Sequence, residues 1–219
     1  MERLENQDLN KIIVQGPIVR KFANEVATNF TIKTPRLSMP NVAKEGDVCY
    51  NYPEISFYGS EKDVINSNYK EGDVVRIEGM IQTQRKTAKD TGREFYDQKI
   101  IGLSIEESKK ELAVFGYTGG AYVEAENKVY LKGTVSKIAS PARGVLTINI
   151  RTFYNGRVNN IQTFLYERNV GNYMEEFRVG DKICAVGNIQ TLKKESADGD
   201  RYYRNIVINS ICKFNLIEA

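Results

Sequence analysis

The chain has 219 residues, an apolar fraction of 41% and a formal net charge of +3 from 31 basic and 28 acidic side chains. That length suits one large domain or two small ones with ordinary cores, and the near-neutral balance excludes a global basic field, so a polyanionic partner must be held by local placement of Lys and Arg. The absence of histidine removes the commonest acid–base group and metal ligand, which argues against an enzyme and against a cofactor.

Residues 1–10, MERLENQDLN, are polar and acidic. They lack the apolar core of a signal peptide. No apolar run reaches the ~18 residues of a membrane span, so a cytoplasmic chain with no membrane partner is expected. A first strand runs from Asn10-Lys11 through an apolar stretch to Gly16, and a second carries Asn29-Phe30-Thr31. A long loop over 35–52 separates it from a third, in which Ile55 and Phe57 alternate with Ser56 and Tyr58. Period-2 alternation places the two sets on opposite faces of a strand. Residues 60–70 suit a short helix, which Gly72 is expected to end. A fourth strand runs from Gly72-Asp73 past Gly79 to Gln82-Thr83. A hairpin with Arg85, Lys86, Lys89, Arg93 and Tyr96 leads into a fifth, ending near Ser104-Ile105.

The same order then recurs. Asn127-Lys128 to Gly133 repeats Asn10 to Gly16; Gly180-Asp181, Gly187 and Gln190-Thr191 repeat Gly72-Asp73, Gly79 and Gln82-Thr83; Ser210-Ile211 repeats Ser104-Ile105. The offset shrinks along the chain because the second copy replaces the 35–52 loop with a short Asn155-Gly156 turn, a strong hairpin signal. Strands are expected at 128–135, 145–153, 160–166, 182–191 and 202–213, with a helix within 168–178 before Gly180. In the third, Ile161, Thr163 and Leu165 oppose Gln162, Phe164 and Tyr166. Gly116, Gly119 and Gly120 mark the joint between the copies.

Five short strands with a helix between the third and fourth define the OB-fold. The predicted class is therefore all-β: two tandem five-stranded OB-fold barrels, one in 1–106 and one in 126–219, joined by a linker at 107–125. A generic β-sandwich repeat is the alternative. Cys49, Cys184 and Cys212 are odd in number, widely spaced and without a CxxC pair, which speaks against a disulfide framework or zinc site and for reduced cytosolic thiols.

At these residues the chain resembles the bacterial and phage single-stranded DNA-binding protein (SSB) family. The resemblance rests on the Asn-Lys-apolar-Gly strands at Asn10 and Asn127, on Asn29-Phe30-Thr31, and on the Gly72–Thr83 and Gly180–Thr191 strands. Turns at Asp90-Thr91-Gly92-Arg93 and Asp198-Gly199-Asp200-Arg201 add to it. It implies non-enzymatic coating of single-stranded DNA with little sequence preference, in replication, recombination or transfer of phage or mobile-element DNA. It also implies four OB-folds per assembly, so that two per chain suggest a homodimer, or else a monomer binding with two folds. The family's acidic tail has no counterpart in CKFNLIEA, so tail-mediated recruitment is not expected. An OB-fold adaptor for proteins and a single-stranded RNA binder are the alternatives.

Sequence-tolerant binding of single strands needs aromatic faces for bases and cations for the backbone. Tyr58 and Tyr166 sit at the same spacing before Gly72 and Gly180, near the position where the resemblance implies a base-stacking aromatic, and Phe164 shares the face of Tyr166. Packing at a dimer interface or on the linker is the alternative role for these rings. Phe153, Tyr154 and Arg157 flank the second 2–3 turn; Tyr50 and Tyr52 are their weaker counterparts. The 4–5 hairpins offer Arg85, Lys86, Arg93 and Tyr96 in the first copy, and Lys193, Lys194, Arg201 and Tyr202 in the second, against the alternative of ordinary solvated tips. Neither Glu106-Glu107 nor Glu175-Glu176 has spacing suited to a metal, and no phosphate-binding glycine loop is present.

Overall fold

Alternating apolar residues build two sets of strands in the same order. The first comprises β1 (Leu9–Ala23), β2 (Ala27–Ile32), β3 (Thr34–Pro35), β4 (Tyr50–Asn51), β5 (Glu54–Tyr58), α1 (Lys62–Asn68), β6 (Val74–Thr87) and β7 (Glu94–Glu107). The second comprises β8 (Asn127–Ala142), β9 (Val145–Tyr154), β10 (Arg157–Tyr166), α2 (Val170–Glu176), β11 (Lys182–Lys194) and β12 (Arg201–Lys213). The computed structural model describes residues 7–36, 50–87, 92, 94–108, 126–166, 170–194 and 201–214, with backbone alone at Pro35, 170–172, Lys193, Lys194, Arg201 and Tyr202. Most of the expected linker, and residues 37–49 of the long loop with Cys49, lie outside the described residues.

In the first set β1 pairs with both β2 and β6, β6 with β7, and β5 runs parallel to β7 and antiparallel to β2. The ring is closed. The second set closes in the same way through β8, β9, β10, β12 and β11, again with one parallel pair, β10 and β12. These are two OB-fold barrels, as the repeat pattern predicts. Their interiors hold Ile12, Phe30, Ile55 and Ile77 in one barrel and Leu131, Ile148, Ile161 and Ile189 in the other, all essentially inaccessible. Each such side chain contributes about 1.5–3 kcal/mol by leaving water.

The repeated Asn-Lys motif has a structural reason. The Asn10 amide donates to the Ile81 carbonyl at 2.7 Å, and its carbonyl accepts from the Ile81 amide at 2.9 Å. Asn127 makes the same two bonds to Ile189, at 2.8 and 2.9 Å. One side chain thus stands in for a strand residue and extends barrel closure where the ladder ends.

Gly72 and Gly180 differ in role from the sequence expectation. α1 stops at Asn68, with the extended Tyr69 as its cap, and α2 stops at Glu176. The glycines occupy the following turns with φ of 92° and 98°, conformations that a side chain disfavours. In each turn an Asp carboxylate accepts from the first residue's amide: Asp73 from Lys70 at 2.8 Å, Asp181 from Arg178 at 2.7 Å. Asn155 and Gly156 both take positive φ, 51° and 74°, as a tight hairpin between β9 and β10 requires.

The barrels are joined by an antiparallel ladder between their first strands. Asn10 faces Leu131, Ile12 faces Val129, and Val14 faces Asn127. Equivalent residues exchange places about the Ile12–Val129 pair, so the barrels are related by an approximate two-fold axis.

Candidate nucleic-acid interface

The same approximate axis repeats a set of bonds between the barrels. The Thr83 amide donates to Asn159 Oδ1, and Thr83 Oγ1 accepts from the Asn160 amide, both at 2.9 Å. Across the axis the Thr191 amide donates to Asn51 Oδ1 at 3.0 Å, and Thr191 Oγ1 accepts from the Tyr52 amide at 2.9 Å. Further out, the Gln98 side chain pairs with the Gln162 backbone at 2.7 and 3.2 Å, and Arg204 donates to the Glu54 carbonyl at 3.2 Å. β10 pairs with β12 only at Thr163 and Phe164, so its earlier residues would present bare backbone on that edge. The β6–β7 hairpin of the other barrel satisfies them, as buried amides demand. The Gln-Thr ends of the fourth strands are therefore a clasp.

This docking carries the β9–β10 turn over the first barrel. Asn155 and Arg157 line one groove together with Tyr58 of β5, Met80, Gln82 and Gln84 of β6, and Asp97, Lys99, Ile101 and Leu103 of β7. The groove has a volume of about 460 Å³. Arg157 and Lys99 are exposed, and neither forms an ion pair with any described residue. Tyr58 exposes 39% of its surface there, while the alternating Ile55 and Phe57 are buried.

On the second barrel Tyr166 is 37% exposed. Its ring stacks on Phe164, with centroids 6.3 Å apart and planes 10° from parallel. Its hydroxyl accepts from Asn205 Nδ2 at 3.3 Å. Phe153, 62% exposed, shares the non-core side of the β9–β10 hairpin with Phe164 and Tyr166. It sits opposite Val158 in the ladder. Tyr154 and Arg157 form the next ladder pair and so leave the other side, toward the first barrel. The sequence grouped Phe153, Tyr154 and Arg157 as one tip; alternation splits them between two surfaces.

The first 4–5 hairpin is less cationic than its sequence suggests. Arg85 is hydrogen-bonded to Glu94 and Lys86 to Asp97, and Glu94 holds the Arg85 guanidinium above its ordinary value. Arg85 faces Tyr96 across the ladder, on the side away from the groove. Arg93 and Lys89 lie outside the described residues. Lys193, Lys194, Arg201 and Tyr202 fall on the ends of β11 and β12, with Lys193 opposite Tyr202 and Lys194 opposite Arg201; their side chains lie outside the description. Tyr50 sits under a cation, with Lys33 Nζ 4.0 Å from its ring centre, and Tyr52 is used through its backbone by the clasp.

Lys99, Gln82 and Gln84 were missed by the sequence reading. They alternate along β6 and β7 on the non-core side, and the signal available was their parity with Tyr58 across the sheet. Glu106, whose pair with Glu107 lacks the spacing for a metal, accepts from Arg76 at 3.2 Å; Arg76 also holds Glu78 and Glu126 at 2.9 and 2.8 Å. Lys11, at 2.8 Å, and Arg76 keep the Glu78 carboxyl below its ordinary value.

Two solved structures share the fold over nearly the whole chain. The wild-type single-stranded DNA binding protein from Thermus aquaticus is 14% identical, with a TM-score of 0.66 over 97% of this chain and 96% of that one. A mutant of it carrying a deletion and a substitution is 13% identical, with a TM-score of 0.67 over 96% of each chain. The comparison with curated proteins finds no match. The profile of the Single-strand binding protein family matches residues 9–107, the whole of the first barrel. The first barrel is thus similar to the Single-strand binding protein family, and the likeness to the Thermus aquaticus structures extends the shared fold to the second barrel.

Proposed function

We propose that this chain binds and coats single-stranded DNA, without chemistry and with little sequence preference, using units 1–106 and 126–219 joined through 107–125. The observation that carries the reading is the equivalent placement of Tyr58 and Tyr166, exposed on the non-core faces of both barrels. In one of them the ring shares a groove with Lys99 and Arg157. A base stacked on an aromatic side chain contributes about 1–3 kcal/mol whatever its identity, and exposed cations beside it suit the phosphates that follow. Phe153 and Phe164 extend the stacking surface on the second barrel.

The test is filter binding of an oligo-dT strand across a salt series. Wild type retains the strand at low salt and loses it steeply as salt rises. The double substitution Tyr58→Ala with Tyr166→Ala weakens binding about 30-fold or more, at roughly 1–3 kcal/mol per lost stack. Unchanged affinity in the double variant rejects the stacking assignment. No retention at low salt rejects the reading and leaves a protein adaptor. Competition between matched DNA and RNA strands decides the nucleic acid. A homodimer would give the four barrels that the family resemblance implies; light scattering on the purified chain measures it.

A further inference from the structure

Cys184 and Cys212 are far apart in sequence but directly opposite in the antiparallel β11–β12 ladder. Opposed residues project from the same face of a sheet. Their neighbours Ile183 and Ala185 are buried in the barrel, so this face is the outer one. Cys184 is half-buried, Cys212 is exposed, and both are free thiols. The Phe214 amide donates to the Lys182 carbonyl at 3.0 Å, which fixes the phase of the ladder. Lys182–Phe214 is a hydrogen-bonded pair, and so is Cys184–Cys212, two residues along. Cα atoms of such a pair lie about 5.5 Å apart, within the roughly 4.4–6.8 Å that a disulfide spans. Lys132 stands opposite Cys184 on its other side, in β8. A row of one ammonium and two thiols therefore crosses three strands. Burial and the neighbouring Cys212 push the Cys184 thiol up, and Lys132 opposes them. Cys212 is the more accessible nucleophile.

We propose that Cys184 and Cys212 form a dithiol site that low-molecular-weight disulfides convert to a cross-strand disulfide. The Cys212 thiolate attacks one sulfur of the small disulfide, forming a mixed disulfide and releasing one small thiolate. Cys184, having given its proton to solvent, then attacks Cys212 Sγ, closing the protein disulfide and releasing the second thiolate. Two protein thiols are oxidised, one small disulfide is reduced to two thiols, and no other electron acceptor is needed. The product ties the last strand to its neighbour on the outside of the barrel, leaving the interior packing untouched.

The test treats the full chain with oxidised glutathione, blocks remaining thiols, and maps disulfides by mass spectrometry of peptides. The expected product links the peptide of Cys184 to that of Cys212, forms equally in Cys49→Ser, and is reversed by dithiothreitol. In Cys184→Ser the reaction stops at a glutathione adduct on Cys212. Stable glutathione adducts on both cysteines of the wild type, with no link between them, overturn the proposal. A link that requires Cys49 overturns it too. Since the wild-type link is itself the readout, a variant that misfolds does not remove the test.

Discussion

Arg157 and Lys99 come from different barrels and meet in one groove, and what distinguishes them from Arg85 and Lys86 is that, among the described residues, neither forms an ion pair with a carboxylate. A cation already paired with Glu94 or Asp97 has little field left for a phosphate, while an unpaired one releases a counterion on binding. Arg157→Ala is therefore expected to weaken oligo-dT binding several-fold and to lower the salt slope by about one phosphate contact. Arg85→Ala, by contrast, leaves both within twofold. Titrations at several salt concentrations measure the two quantities; equal losses in the two variants contradict the assignment. The tyrosines were legible in the sequence because alternation and spacing place them without knowledge of any partner strand. The pairing of Arg85 and Lys86 was not, because it depends on the β6–β7 register. Cys184 and Cys212 were hidden for the same reason: a wide spacing in sequence becomes a contact only once the β11–β12 ladder is known.

Strands β1 and β6 are held together past the end of their ladder by a single buried side chain. Removing the Asn10 amide leaves the Ile81 amide and carbonyl without partners in the barrel wall, at a cost of about 1–3 kcal/mol for each buried group left unpaired. Asn10→Ala is accordingly expected to lower the unfolding free energy by roughly 2–4 kcal/mol, read as a shift in urea midpoint. A surface change such as Lys128→Ala should move it far less. The Asn-Lys-apolar-Gly motif was visible as a recurring pattern, but its work was not, since the partner Ile81 lies far along the chain. The same holds for the Gln-Thr ends of β6 and β11. As sequence they read as the ends of the fourth strands; in the fold Thr83 and Thr191 are the points where each barrel grips the other. The helices were found by composition, yet their ends were set by cap geometry that glycine positions alone misplace.

Between the barrels, Arg76 gathers Glu78, Glu106 and Glu126, with Lys11 closing on Glu78. Because Glu78 has a folded-state value below its ordinary 4.5, its ionised form favours the folded chain. That contribution is complete above the ordinary value and is lost as pH falls through the lowered one. Stability should thus decline as pH falls below about 4.5, and Glu78→Gln should flatten that decline by lowering stability at neutral pH, where the contribution is complete, while changing little at low pH. Denaturant midpoints across the acid range measure it, and an unaltered acid limb in the variant contradicts the role. The whole-molecule plan, two barrels in tandem, was the most legible feature of all, since repeated punctuation survives where individual strands are ambiguous. How the barrels face each other was not, because it rests on β1 pairing with β8 and on Asn51, at the base of a loop that looked like an insertion, reaching Thr191.

That two-fold relation is approximate, and its departures are informative. Were the halves identical chains, every substitution would occur twice, and both ends of the interface would change together. Covalent tandem arrangement removes the constraint: where one end pairs Gln98 with Gln162, the other pairs Arg204 with Glu54. The molecule therefore has a head and a tail, and a directional polymer lying across both barrels meets a different chemistry at each.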